Sequence, residues 1–120
     1  LSAPHIVGRF LVKRDKEPLS CLAESSSVWD RRIAVMSTFY FIREGQFSEA
    51  LRIAGLLLHD DEDLVHKAVG WMLREIGNRD MRTEEKFLKQ YCRGMPRTML
   101  RYAIEKFPER KRRRYLAGTA

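Results

Sequence analysis

Features that mark secreted, membrane-spanning or redox-active proteins are scarce in these 120 residues. The two cysteines, Cys21 and Cys92, are not spaced as a CxxC pair, so we expect reduced thiols and a cytoplasmic protein. No apolar run of about 18 residues is present, so no transmembrane helix is predicted. The opening LSAPHIVGRF lacks a basic leader followed by a long apolar segment, and it is not typical of a signal peptide.

Motifs of well-known enzyme and cofactor sites are also missing. The sequence holds no HExxH, no GxSxG and no phosphate-binding glycine loop. Its three histidines, His5, His59 and His66, are scattered, so we expect neither a metal nor a cofactor. The acidic run HDDED at 59–63 is typical of a helix start, with Asp60 and its neighbour as N-cap groups and the later acids at the positive end of the helix.

Strand-like alternation is nearly absent, whereas helical periodicity occurs along most of the chain. Ser26 or Ser27 can cap the third predicted helix, and Gly45 and Gly77 are expected to end the third and the fifth. The short connections predict that consecutive helices pack antiparallel. The predicted helices span 2–14, 17–25, 27–44, 47–59, 62–78, 83–92, 96–107 and 109–116. We predict an all-α protein with a single domain over residues 1–120.

A repeat of about two helices per unit underlies this pattern. The strings RRIAV, VHKAV and LRYAI place Ala34, Ala68 and Ala103 at intervals of 34 and 35 residues. A period of this length is typical of a helical solenoid, in which small alanines allow close helix packing. Arg32, His66 and Arg101, two residues before each alanine, would then line up along the superhelix. A plain helical bundle is the alternative fold.

The chain is basic, with 23 Lys and Arg against 16 Asp and Glu and a net charge of +7. This excess favours a polyanionic partner, either nucleic acid or an acidic membrane surface. On the predicted helix at 62–78, Lys67, Trp71 and Arg74 share one face, away from the apolar stripe that includes Leu64 and Ala68. Cations can contact phosphate while an indole covers a sugar or base. Core packing is the alternative role for Trp71.

Arg31 and Arg32 lie in the first turns of the third predicted helix, where cations oppose the helix dipole. Such a pair requires another purpose, either an ion pair with a carboxylate such as Asp30 or Glu24, or a contact with phosphate. We expect Arg32 to converge with Trp71 and its neighbouring cations on one groove. The basic tail ERKRRRYL at 109–116 is either a further phosphate contact or a solvated helix end.

Three strings resemble the bacterial DNA alkylation repair family, of the AlkD type with HEAT-like repeats: VWDRRIAVMSTFYFIREGQF, HKAVGWMLREIGNRD and MPRTMLRYAIEKFPERKRRRYL. The resemblance covers nearly the whole chain. It implies a solenoid that curves around duplex DNA and excision of N3- and N7-alkylated purines, with no membrane partner. By position, Arg32 matches the arginine at the lesion's backbone, and Trp71 matches the tryptophan against its sugar-phosphate.

The resemblance also implies a catalytic aspartate, which stabilises positive charge on the sugar and positions water. It aligns one residue before Leu1, so we expect this chain to be the C-terminal part of a longer enzyme, without its own catalytic residue. Self-association through an exposed N-terminal repeat face is then expected. The alternatives are a non-catalytic DNA-binding homologue and a protein-binding scaffold, and the scaffold requires a buried Trp71 and an internally paired Arg32.

Overall fold

The computed structural model describes residues 21–118, where all regular secondary structure is helical. Residues 21–23 are helical, and a 3-10 turn spans Cys92–Gly94. Seven α-helices lie wholly within the described range: α1 (Val28–Ser37), α2 (Phe39–Arg43), α3 (Ser48–Leu56), α4 (Asp63–Arg79), α5 (Met81–Tyr91), α6 (Arg97–Ala103) and α7 (Glu109–Ala117). The described residues contain no strand, which confirms the all-α class. The predicted helix at 2–14 and most of that at 17–25 lie outside the described residues.

The helix ends follow local capping chemistry, with three departures from prediction. Ser27 caps α1 as predicted, because its hydroxyl accepts a hydrogen bond from the Asp30 amide. The helix predicted over 27–44 is divided at Thr38, whose N–H bonds the carbonyl of Val35 only three residues back. Gly45, at a φ of +77°, follows the end of α2 as predicted.

The end of α4 and the start of α5 share one residue. Contrary to prediction, Gly77 does not end α4, because the helix continues to Arg79. Asp80 takes over that role and also caps α5, since its side chain accepts a hydrogen bond from the Thr83 amide. Hydrogen bonds from the Thr83 side chain and amide lower the pKa of Asp80. The carboxylate therefore stays ionised at neutral pH, beside the positive end of α5.

The start of α4 also differs from prediction in register. Its N-cap is Glu62, which makes no capping bond through its side chain, so neither Asp60 nor Asp61 is the N-cap residue. Asp60 instead accepts a hydrogen bond from the Glu62 amide at 2.9 Å, just outside the helix. Asp63 does lie in the first turn, where the helix dipole favours a negative charge.

The three helices that carry the repeated alanines form one layer. Ala34 in α1, Ala68 in α4 and Ala103 in α6 are all buried, as the repeat predicts. Helix α4 lies in the middle and makes its most extensive contacts with α6 and then with α1. The side chain of Arg31 reaches Asp60 at one end of α1 and α4, and Arg79 lies over the Phe39 ring at the other. The two helices are therefore parallel.

Helices α4 and α6 approach almost to backbone contact at Gly70. A Cβ atom on Gly70 would lie 2.5 Å from the carbonyl oxygen of Met99 and 2.5 Å from the Cβ of Tyr102. One turn further, Arg74 of α4 pairs with Glu105 just after α6, so these helices are also parallel. A glycine inside a helix costs about 1 kcal/mol relative to alanine, and here the absent side chain permits the close packing.

The remaining long helices lie on the other side of α4 and form a second layer. Helices α3 and α5 both contact α4. Leu51 of α3 faces Phe87 and Tyr91 of α5 across an open groove. Helix α7 attaches to α5 through Glu85. Helices α3 to α7 thus alternate between two layers, an arrangement consistent with a helical repeat. No helix within residues 21–118 is long and apolar enough to span a membrane.

Candidate nucleic-acid interface

Trp71 lies on the open side of α4 and remains 38% exposed. Apolar side chains do not enclose the indole, which argues against the core alternative. Its Nε1 donates a hydrogen bond to Oε2 of Glu75 at 3.2 Å, one helical turn further on. The other oxygen of Glu75 accepts from Nη1 of Arg79 at 2.9 Å, and the Arg79 guanidinium lies 5.8 Å from the centre of the Phe39 ring. This chain of contacts orients the indole.

The two cations on either side of Trp71 are held very differently. Nζ of Lys67 lies 3.4 Å from Asp63 and both side chains are well exposed, so the pair contributes at most about 1 kcal/mol. The Lys67 ammonium therefore stays available to an anionic ligand. Arg74 is only 17% exposed and donates to Glu105 at 2.7 Å, a bond that joins α4 to the end of α6. Of the two cations predicted beside Trp71, only Lys67 is weakly held, and Arg74 is engaged in an ion pair.

Leu64 differs from its predicted place in the apolar stripe. It is 55% exposed, whereas Ala68 and Met72 of the same stripe are buried. The start of α4 extends past the packed layer, so the stripe is buried only from Val65 onward. Leu64 therefore adds apolar area to the open side of α4, at the opposite end from Glu75.

The neighbouring arginines of α1 have separate environments. Nε of Arg31 donates to Asp60 at 2.6 Å, and Nη1 donates to the carbonyl oxygen of Ser25 at 2.9 Å. Of the two predicted uses, the ion pair is observed, with Asp60 in place of Asp30 or Glu24. Arg31 joins α1 to the segment before α4, and a contact between this residue and DNA stays a prediction.

Arg32 is half-buried, and its Nε has no hydrogen-bond partner. No ion pair joins this guanidinium to another described residue. An unsatisfied buried donor costs roughly 1–3 kcal/mol, and a guanidinium remains charged at every ordinary pH. Arg32 is therefore a cation whose hydrogen-bonding capacity the described fold leaves unused, which suits an external anion.

Trp29 is a second exposed tryptophan, and it was not among the predicted site residues. It lies in the first turn of α1 and is 50% exposed, one turn before Arg32. The pattern Trp-x-x-Arg occurs at 29–32 and again at 71–74, and this spacing places both side chains on one helical face. The duplicated pattern was the sequence signal for Trp29.

The carboxylates near these basic residues are engaged with other groups. Asp30 accepts a hydrogen bond from the Ser25 hydroxyl at 2.8 Å, and Glu75 is shared by Trp71 and Arg79. An ion-pair role is therefore observed for Glu75, whereas Asp30, expected to pair with an arginine, bonds a serine hydroxyl instead. Within residues 21–118, no three His, Cys, Asp or Glu side chains are grouped as a metal site.

Glu84 is a different kind of carboxyl group, buried between α5 and α4. It is 1% exposed, its side chain covers Gly77, and its Oε2 has no hydrogen-bond partner. Burial, with a smaller contribution from the charge of Glu85, raises the pKa of Glu84 to about 9 despite the opposing charge of Arg74. Glu84 is therefore neutral at pH 7 and too enclosed to reach a nucleic acid.

One of three comparisons with known proteins found a match. Residues 1–107 match the family model described as DNA alkylation repair enzyme, a span that includes α1 to α6 and excludes α7. No curated protein and no solved structure matches the sequence. The match covers most of the 120 residues, so the chain belongs to the DNA alkylation repair enzyme family.

Proposed function

We propose that this chain forms part of a HEAT-like superhelix that binds duplex DNA containing N3- or N7-alkylated purines. Arg32 contacts the phosphate backbone at the lesion, and Trp71 covers the sugar-phosphate of the damaged nucleotide. The observation that carries the proposal is that two helices packed against each other carry an unpartnered guanidinium, on α1, and an exposed, hydrogen-bonded indole, on α4. Lys67 adds a loosely held cation to the same surface.

The proposed reaction is hydrolysis of the N-glycosidic bond to the alkylated purine. Alkylation at N3 or N7 gives the base a positive charge, so it leaves readily and little help is needed at the leaving group. The acid that stabilises the resulting sugar cation is, by resemblance, an aspartate aligned just before Leu1. We therefore assign DNA binding and lesion positioning to this chain and the catalytic step to the longer protein.

Release of 7-methylguanine from methylated duplex DNA tests the proposal. The longer protein should release the base, whereas residues 1–120 alone should release none, because electrostatic stabilisation of the developing charge is often worth a hundredfold or more in rate. Residues 1–120 should still bind duplex weakly, with an affinity that falls steeply as salt rises. Excision by residues 1–120 alone would show that the catalytic carboxylate is assigned to the wrong place.

The alternative function is a non-catalytic scaffold that binds DNA or protein. The internal pairing of Arg31 and Arg74 favours it, whereas the exposed Trp71 and the unpartnered Arg32 do not. Equal affinity of the longer protein for methylated and unmethylated duplexes, together with no base release, would select the scaffold. A clear preference for the methylated duplex would select the repair function.

A further inference from the structure

Helix α7 begins directly after the span that matches the family, and its two faces have opposite properties. Tyr115 is buried, and three neighbours on the same face are partly buried: Lys111, Arg112 and Leu116. The other face is exposed and carries Arg110, Arg113, Arg114 and Ala117, at the i, i+3, i+4 and i+7 positions of one helical stripe. We call these four residues the outward face of α7.

The inward face of α7 is held by bonds to two other helices. Glu85 of α5 accepts a hydrogen bond from the Tyr115 hydroxyl at 2.7 Å and from Nζ of Lys111 at 2.9 Å. Arg97 of α6 donates to the carbonyl oxygen of Leu116, near the end of α7. These bonds fix the rotation of α7 about its own axis, so its outward face has a defined direction.

The protonation states at this junction strengthen the attachment. Burial opposes ionisation of Glu85, but the hydrogen bonds from Tyr115 and Lys111 outweigh it and lower its pKa. Burial and the bond to Glu85 raise the pKa of Tyr115. Glu85 is therefore charged and Tyr115 neutral at pH 7, which is the combination that keeps their short hydrogen bond.

Two arginines of the outward face are only weakly occupied by carboxylates. The side chain of Arg113 is 77% exposed, and its described ion pair is with Glu109 at 3.2 Å. Glu109 must also serve Arg112, which bonds its other oxygen at 2.8 Å. The side chain of Arg110 is exposed and has no described ion pair. A single exposed glutamate thus leaves most of the positive charge of Arg110 and Arg113 uncompensated.

We propose that the outward face of α7 is a second phosphate-binding surface, which contacts the backbone of duplex DNA without reading its sequence. The inference rests on the proposed function, because DNA is the partner that the family implies. Guanidinium groups bind phosphate oxygens in a bidentate geometry. The outward face carries no large apolar side chain, whereas a helix that enters a membrane surface needs Trp, Phe or Leu.

The test measures binding of the full chain to an undamaged, fluorescein-labelled 20-bp duplex by anisotropy, between about 50 and 200 mM salt. The test variant is Arg110→Gln with Arg113→Gln. The matched control is Arg82→Gln with Arg93→Gln, which removes the same charge from two exposed arginines outside α7. The slope of log K against log salt is negative, and each lost phosphate contact reduces its magnitude by about 0.9. The magnitude should therefore fall by about 1.8 in the test variant and by almost nothing in the control.

Three outcomes would overturn the inference: an unchanged slope in the test variant, an equal decrease in both variants, or equal competition by polyglutamate and by unlabelled duplex. The first would exclude a phosphate contact, the second would attribute the effect to net charge, and the third would indicate an acidic protein partner. Excision of 7-methylguanine by the longer protein separates this inference from the proposed function. A change of slope without excision would support the phosphate-binding surface of α7 but not the repair function. Excision without a change of slope would support the repair function and contradict the phosphate-binding surface.

Discussion

The two sides of α4 are specified by different physical requirements. On the packed side, Gly70 leaves room for α6 and Gly77 leaves room for Glu84 of α5, so the residue type at these positions is limited by the available space. On the open side, Lys67 and Trp71 are exposed or half-exposed and are held by hydrogen bonds and charge. Changes on the packed side should therefore alter the stability of the fold, and changes on the open side should alter binding.

Gly70→Ala should produce the largest effect, because the new Cβ would collide with backbone atoms of α6 that cannot move independently. We expect the free energy of unfolding to fall by about 3 kcal/mol, the upper part of the range for overpacked sites. Urea denaturation followed by circular dichroism measures it. Gly55→Ala is the control: nothing lies within 4 Å of the place its new methyl group would take, so this change should be neutral or slightly stabilising. Equal destabilisation by both substitutions would contradict the close α4–α6 contact.

Glu84→Gln should remove a pH dependence of stability. Burial raises the pKa of the Glu84 carboxyl to about 9 in the folded state, far above its ordinary value. Between these two pKa values the folded protein keeps a proton that the unfolded chain has lost. Stability is therefore greatest below the ordinary pKa and decreases as pH rises toward 9, by up to about 1.4 kcal/mol per pH unit. Between pH 6 and 8 the wild-type protein should lose about 2–3 kcal/mol more than Glu84→Gln does. Parallel curves of unfolding free energy against pH would contradict this.

Arg32→Ala and Arg31→Ala compare the loss of an unpaired cation with the loss of its paired neighbour. In the longer protein that the proposed function requires, Arg32→Ala should weaken duplex binding and slow excision together by roughly tenfold to a hundredfold, the value of a charged hydrogen bond to phosphate. Arg31→Ala should chiefly lower stability, because it leaves Asp60 without its partner. Excision rates at limiting and saturating DNA, with unfolding curves, distinguish these effects. Unchanged excision by an Arg32→Ala, Trp71→Ala double variant would place the groove elsewhere.

Glu75→Ala should have the smallest effect, because it frees the indole of Trp71 without removing it. We expect a loss of about 1 kcal/mol in binding to the methylated duplex, the value of one hydrogen bond. In a Trp29→Phe background, the single indole N–H resonance should shift in Glu75→Ala, and Glu75→Gln, which keeps an acceptor oxygen, should restore much of the shift. An unmoved resonance in Glu75→Ala would show that the bond to Glu75 does not form in solution.

Local features of the fold were predictable because they depend on neighbouring residues. The Ser27 cap, the Gly45 stop and the burial of the three repeated alanines follow from capping chemistry and helical periodicity. The break at Thr38 and the continuation of α4 through Gly77 were not predicted. Gly77 keeps helical backbone angles and leaves room for Glu84 of the following helix, a packing contact that helical periodicity does not reveal.

The candidate site was only partly predictable, for a related reason. The sequence by itself determined an all-helical chain with repeated alanines, a basic excess and a tryptophan outside the apolar stripe. Only the tertiary structure decided which cations stay free, since Arg31 and Arg74 find their carboxylates 29 and 31 residues away. Those ion pairs form because parallel helices bring distant charges within a few ångströms, and Coulomb attraction is strong only at such short range. Arg32 has no such carboxylate partner among the described residues. This depends on how the helices pack, which cannot be read from composition.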